Sequence, residues 1–183
     1  MMIHRLFVGL RPPRDIRVDL MAIIGGIAGA RWQRDDQLHL TVRYIGEVDR
    51  RTADDVALAL ARLPTEAIAV ALNGVGRFAK QGRTDTIWAG VTPDDALARL
   101  HRKVDHAITG LGLPSEGRAY LPHITLARLP RSLAAEQDVD AFIAAHAGLS
   151  SAAFAFGHLT LFESELMRDG AAYHVVERWP LGR

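Results

Sequence analysis

Two short segments carry the same set of reactive residues: His39-Leu40-Thr41-Val42 and, 84 residues later, His123-Ile124-Thr125-Leu126. Both sit in stretches whose apolar alternation predicts a strand. Residues i and i+2 of a strand project to one face, so His39 points with Thr41 and His123 with Thr125, while Leu40, Val42, Ile124 and Leu126 face a core. Two imidazoles on one cleft suit acid-base chemistry at a phosphodiester, one taking a proton from the attacking oxygen and the other giving one to the departing oxygen. Their unperturbed pKa near 6.5 serves both tasks. The threonine hydroxyls can bond the non-bridging phosphoryl oxygens, where charge builds in the transition state. A single His-x-Thr in a strand is a common accident, but two copies in matching contexts are not.

Other chemistries find less support. A metal site needs more donors than two separated histidines, neither of which has a second His at helical spacing or an adjacent carboxylate in its motif. No G-x-S-x-G elbow, P-loop or G-x-G-x-x-G is present. With no cysteine among 183 residues, thiolate catalysis and Cys-ligated zinc are excluded. The charge balance, 22 Lys plus Arg against 21 Asp plus Glu, argues against an all-over grip on nucleic acid and leaves room for a local basic patch. Among the basic residues only Lys80 and Lys103 are lysine. That bias suits bidentate phosphate binding, although the abundance of alanine points to a genomic composition effect instead.

The elements that must hold these residues are legible from periodicity. Leu6 to Leu10 reads as a strand, Pro12-Pro13 as a turn, and Ile16, Leu20, Ile23 and Ile24 as a helical stripe. Leu38 to Ile45, Ile68 to Val75, Thr86 to Val91, Ile124 to Leu129, Ala153 to Phe162 and Ala171 to Val176 are further strands. Helices are expected over Thr52 to Leu63 and Ala134 to Ala145. A longer one carries Leu97, Leu100, Val104 and Ile108 on one face, with Thr92 as N-cap and Pro93 at its first position. The order implies an α+β fold of two closely packed lobes, without a linker or solenoid repeat. Leu20 to Ala30, the longest nearly uncharged apolar stretch, is too short for a membrane span. The segment around Leu6 to Leu10 lacks the features of a signal peptide, so a cytoplasmic protein with no membrane partner is expected.

At these residues the sequence resembles the 2H phosphoesterase superfamily, in its RNA 2′,3′-cyclic phosphodiesterase (2′-5′ RNA ligase) branch. The likeness runs through Arg5-Leu6-Phe7-Val8, Leu38-His39-Leu40-Thr41, Ile45-Gly46-Glu47-Val48, Trp88-Ala89-Gly90-Val91 and Pro122-His123-Ile124-Thr125-Leu126-Ala127-Arg128. It continues in Leu161-Phe162-Glu163-Ser164-Glu165-Leu166 and Glu177-Arg178-Trp179-Pro180-Leu181. The resemblance implies two pseudo-symmetric lobes, each an antiparallel sheet with outer helices, around a central cleft. It also implies metal-independent, cofactor-free opening of a 2′,3′-cyclic phosphate at an RNA or oligonucleotide 3′ end to a 2′-phosphate, by a monomer. His123 would be the general base and His39 the general acid, with roles exchanged for 2′-5′ ligation.

Arg128 matches the family's phosphate-binding arginine, but strict alternation from His123 places it on the opposite face unless the strand bulges. Arg43 shares parity with His39 and Thr41 and is expected on the cleft. Phe78 and Tyr120 are candidate platforms for a nucleobase, and Arg118 and Arg77 are candidates for backbone phosphates. Two other readings remain: a non-catalytic module that binds RNA ends, and a diesterase acting on a small cyclic nucleotide or ADP-ribose cyclic phosphate.

Overall fold

The computed structural model describes residues 3–182. Nine strands and four helices run in the order β1 (Ile3–Leu10), α1 (Arg14–Ile23), β2 (Arg31–Trp32), β3 (Leu40–Asp49), α2 (Arg50–Ala61), β4 (Ile68–Lys80) and β5 (Arg83–Thr92). After them come α3 (Asp95–Thr109), β6 (His123–Arg128), α4 (Glu136–His146), β7 (Phe154–Phe156), β8 (His158–Met167) and β9 (Gly170–Pro180). A 3₁₀ turn, Asp35–Gln37, leads into the first histidine.

The strands pair antiparallel in the order β7-β4-β5-β6-β3-β1-β8-β9, with β2 added beside β6. In the middle of this path β3 and β6 meet through one pairing only, Leu40 opposite Ile124. These are the residues between each His and its Thr. The strands diverge from that point, so each His-x-Thr strand is the innermost strand of its own half of the sheet, as the two-lobed α+β expectation requires.

The side chains that alternate with the reactive ones are core. Leu40, Val42, Ile124 and Leu126 are at most 1% exposed, each worth roughly 1.5–3 kcal/mol on burial. Helix α3 lays Leu97, Leu100, Val104 and Ile108 against the sheet. It starts at Asp95 rather than Pro93, because Thr92 is still paired in the sheet opposite Ala71. The stretch Ala153 to Phe162 is two strands, broken at Gly157 where the chain passes from one edge of the sheet to the other half. No helix among the described residues is long and apolar enough to cross a membrane.

Candidate active site

Both histidines are held the same way. Nδ1 of His39 lies 2.7 Å from the main-chain oxygen of Gln37, and Nδ1 of His123 lies 2.7 Å from that of Leu121. A carbonyl only accepts, so each ring carries its proton on Nδ1 when neutral, leaving the Nε2 lone pair for chemistry. His39 Nε2 takes a 3.1 Å bond from the Thr41 hydroxyl, whereas among the described residues His123 Nε2 has no partner. The rings are walled by aromatics. Phe7 lies 4.8 Å from His39 between centroids and Tyr173 meets it edge-on at 5.1 Å. Phe78 meets His123 edge-on at 4.9 Å, with Trp88 at 6.1 Å. Gly9 lies beside His39: a Cβ there would sit 3.2 Å from the Leu40 carbonyl and 3.3 Å from Phe162, both tight, and at ordinary contact distance, 3.5 Å, from the His39 ring.

Beyond the threonines, the strands repeat a distortion. Val8 pairs with Arg43 but Gly9 with Thr41, which leaves Val42 as an extra residue in β3. Ile87 pairs with Ala127 but Trp88 with Thr125, which leaves Leu126 extra in β6. A bulge reverses the facing of every later residue in its strand. Exposure therefore runs identically through 39–44 and 123–128: partly exposed, buried, partly exposed, buried, buried, exposed. In β6 the bulge supplies the bend that Arg128 needs, and Arg128 reaches the cleft with His39. The carbonyl of the bulged Leu126 is taken up by the Gln33 amide, 2.8 Å away.

In β3 the same bulge overturns the expectation for Arg43. It turns away from the cleft, is 4% exposed, and bonds Asp105 through Nε at 2.6 Å and the main-chain oxygens of Tyr44 and Pro114 through its terminal nitrogens. Tyr44 faces the cleft in its place. The other expected residues divide. Phe78 stands against His123. Tyr120 does not offer a base platform: it stacks on His101 at 4.2 Å with parallel rings, donates its hydroxyl to the Thr41 carbonyl, and is too desolvated to ionise readily, burial pushing its phenol up. Arg77 is engaged by Glu136 and Asp140 on α4 rather than free for a phosphate. Arg118 is exposed and lies outside the cleft lining.

The cleft, about 460 Å³, opens on the His39 side and is lined by Arg5, Phe7, Arg31, Gln37, Thr41, Tyr44, Arg128 and Tyr173, with Leu166 and Met167 of the β8–β9 hairpin forming one wall. Arg5, Arg31, Gln37, Tyr44 and Tyr173 escaped the periodicity argument. The repeat itself held a signal for Tyr44, which occupies the place of Arg128 when the two six-residue segments are superposed. Burial lowers the pKa of His39 to about 4, assisted by Arg128 and His123 and opposed by the bond to Gln37. His123 is lowered too, again by burial first, with Arg128 assisting. Both imidazoles are thus neutral near pH 7, and both lie in the field of Arg128. Among the described residues no three His, Cys, Asp or Glu side chains gather as metal ligands.

Comparison with known proteins bears on the family and the fold. The sequence profile of the 2′-5′ RNA ligase superfamily matches residues 18–167. The chain is 25% identical over 177 residues, 96% of its length and 99% of the relative's, to a Methanocaldococcus jannaschii protein named RNA 2′,3′-cyclic phosphodiesterase. An Escherichia coli protein of the same name is 24% identical, with 97% of each chain covered. The fold superposes on that of E. coli LigT, solved with 3′-AMP, at a TM-score of 0.79 and 22% identity over the full length of both chains. A solved phosphoesterase gives 0.80, also at 22% identity and full coverage. With a family profile spanning most of its length and the twin His-x-Thr strands in place, this chain belongs to the 2′-5′ RNA ligase superfamily, in the 2H phosphoesterase fold.

Proposed function

We propose that this protein hydrolyses 2′,3′-cyclic phosphate ends of RNA or oligonucleotides to 2′-phosphomonoesters, without a metal, using His123 as base and His39 as acid. The observation that carries the reading is the pair of imidazoles on the adjoining strands β3 and β6, each fixed through Nδ1 by a main-chain carbonyl so that Nε2 is the reactive nitrogen, with Arg128 within electrostatic range of both. The names of the relatives supply the substrate class.

Atoms and protons balance in a single in-line displacement. Nε2 of His123 takes a proton from water, whose oxygen attacks phosphorus in line with the P–O3′ bond. That bond breaks, and Nε2–H of protonated His39 gives its proton to O3′. His39 is left in the Nδ1–H form that Gln37 already holds. The placement of the acid rests on space: the departing oxygen belongs to the ribose, and the cleft able to hold a nucleoside lies on the His39 side. Arg128 is assigned to the phosphoryl oxygens, where charge accumulates, together with Thr125 and with Thr41, whose hydroxyl is released from Nε2 once His39 is protonated. Removing one such preorganised donor costs roughly 10²–10³ in kcat. Arg128→Ala is expected to fall in that range in steady-state assays, and Arg128→Lys to recover only part, because a point charge does not reproduce bidentate bonding.

A pKa of about 4 leaves His39 neutral at pH 7 in the free enzyme, but an anionic phosphate favours the imidazolium and raises that pKa on binding. Two different profiles result. Since kcat/KM reports free-enzyme groups, it should be bell-shaped with its maximum between about 4 and the ordinary histidine value of 6.5, where His39 is partly protonated and His123 partly neutral. Because kcat reports the complex, its profile should lie at higher pH. Initial rates from pH 4 to 9 test this. Coincident kcat and kcat/KM profiles, or a kcat/KM that rises through pH 8, would contradict it.

A further inference from the structure

We propose that Arg5, held by Tyr44, forms a second anion subsite that takes a phosphate one nucleotide unit from the cyclic phosphate. This rests on the diesterase reading above and extends it to substrate choice. The bulged repeat puts Tyr44 where the other half of the molecule puts Arg128, so this arm of the cleft lacks its own strand-borne cation. Arg5 supplies one from β1. Its Nε donates to the Tyr44 hydroxyl at 2.7 Å and its guanidinium carbon lies 5.7 Å from the Tyr44 ring centroid, which fixes the group toward the cleft.

Arg5 shares a face of β1 with Phe7, one strand step of about 7 Å away, and Phe7 packs on the His39 ring. Among the described residues, neither Arg5, Arg31 nor Arg128 has a carboxylate at ion-pair distance, while Arg11, Arg17, Arg34, Arg77 and Arg99 all do. Glu47, the cross-strand neighbour of Arg5, makes no ion pair with it. Asp169 is the one carboxylate lining the cleft among the described residues. Arg5, Arg128 and Tyr173 line the same cleft, and both guanidiniums pull back the phenol pKa that burial raises. Arg5 also borders a recess with Glu47, Glu163 and Glu165, none of them at ion-pair distance from it; guanidiniums without an ion-pair partner beside a phosphate site repel one another until a second anion arrives.

The test compares three substrates: adenosine 2′,3′-cyclic phosphate, the same nucleotide with a 5′-phosphate, and a dinucleotide ending in the cyclic phosphate, whose added anion is internucleotide. Hydrogen bonds to charged groups are worth roughly a ten- to hundredfold change in affinity, so one or both charged substrates should exceed the first by about tenfold in kcat/KM. Whichever gains more identifies the occupant. The preference, read as a ratio within each variant, should fall to about one in Arg5→Gln and be reduced in Tyr44→Phe, which keeps the ring but frees Arg5. Equal kcat/KM on all three in the unmodified protein, or a preference that survives Arg5→Gln, overturns the subsite while leaving the diesterase reading intact. No turnover of any of them overturns that reading and the subsite with it.

Discussion

His39→Ala and His123→Ala should each lower kcat by about 10³–10⁴, the upper range for a positioned general acid or base, with the folded protein retained. Each ring makes one main-chain hydrogen bond, to Gln37 or Leu121, and removing it is worth about 1 kcal/mol. Thermal midpoints should move by only a few degrees. The double variant should be little worse than either single one, since residues acting in one step are strongly non-additive. The roles separate with a substrate whose 3′ bridging oxygen is replaced by sulfur, because a thiolate departs without protonation. His39→Ala should recover much of its loss on that substrate and His123→Ala should not. The reverse pattern would exchange acid and base; near-normal turnover in both single variants would remove the paired-histidine mechanism.

Arg43→Met should be the most destabilising single change near the cleft and yet leave the activity of folded molecules within a few-fold of normal. Arg43 is 4% exposed and bonded to Asp105 at 2.6 Å. Asp105 also accepts from the Ser115 hydroxyl and the Glu116 amide, so the ion pair ties α3 to β3 and to the loop before Tyr120. Removing one partner of a buried pair costs roughly 3–5 kcal/mol. Asp105 retains 20% side-chain exposure, which places the expectation at the lower end, about 3 kcal/mol, or roughly 6–12 °C in a chain of this size.

The pH dependence has a definite sign. Burial pushes the Asp105 carboxyl up, but bonds from Ser115, Arg43 and the Glu116 amide outweigh it and hold the pKa below the ordinary 3.8. A carboxylate depressed on folding adds stability that is present above its unfolded pKa and lost as pH falls through the folded one. The gap between Arg43→Met and the unmodified protein, tracked by calorimetry, should therefore narrow below about pH 4. An unchanged thermal midpoint with a large loss of turnover would instead return Arg43 to the cleft.

The His-x-Thr strands were legible in the sequence because two periodicities agreed there: apolar residues alternated with reactive ones, and the pattern occurred twice. The bulges were not legible. Val42 and Leu126 are ordinary strand residues, and nothing in their type announces that each is the extra one in its ladder. One missed residue per strand reversed the reading of everything beyond it, so alternation put Arg43 on the cleft and Arg128 on the opposite face. The family resemblance put Arg128 at the cleft, where the structure has it. Hairpin lengths were hidden for a different reason. Residues Gly74 to Lys80 of β4 show no apolar alternation, and they are strand because β5 pairs with them as far as Arg83. Tyr120 and Arg77 were assigned by sequence proximity alone, and the partners that claim them, His101 on α3 and Asp140 on α4, lie 19 and 63 residues away in the chain.

Phosphorus NMR tests whether paired histidines open a cyclic phosphate toward the 2′-phosphate without a metal. A short RNA ending in a 2′,3′-cyclic phosphate would be incubated with the protein in EDTA. Loss of the cyclic phosphate signal with growth of a 2′-phosphomonoester resonance, absent with His39→Ala and His123→Ala, is the predicted result. A 3′-phosphate product would contradict the assignment of O3′ as the leaving oxygen. No conversion until a divalent metal is added, or none at all, would contradict the mechanism itself.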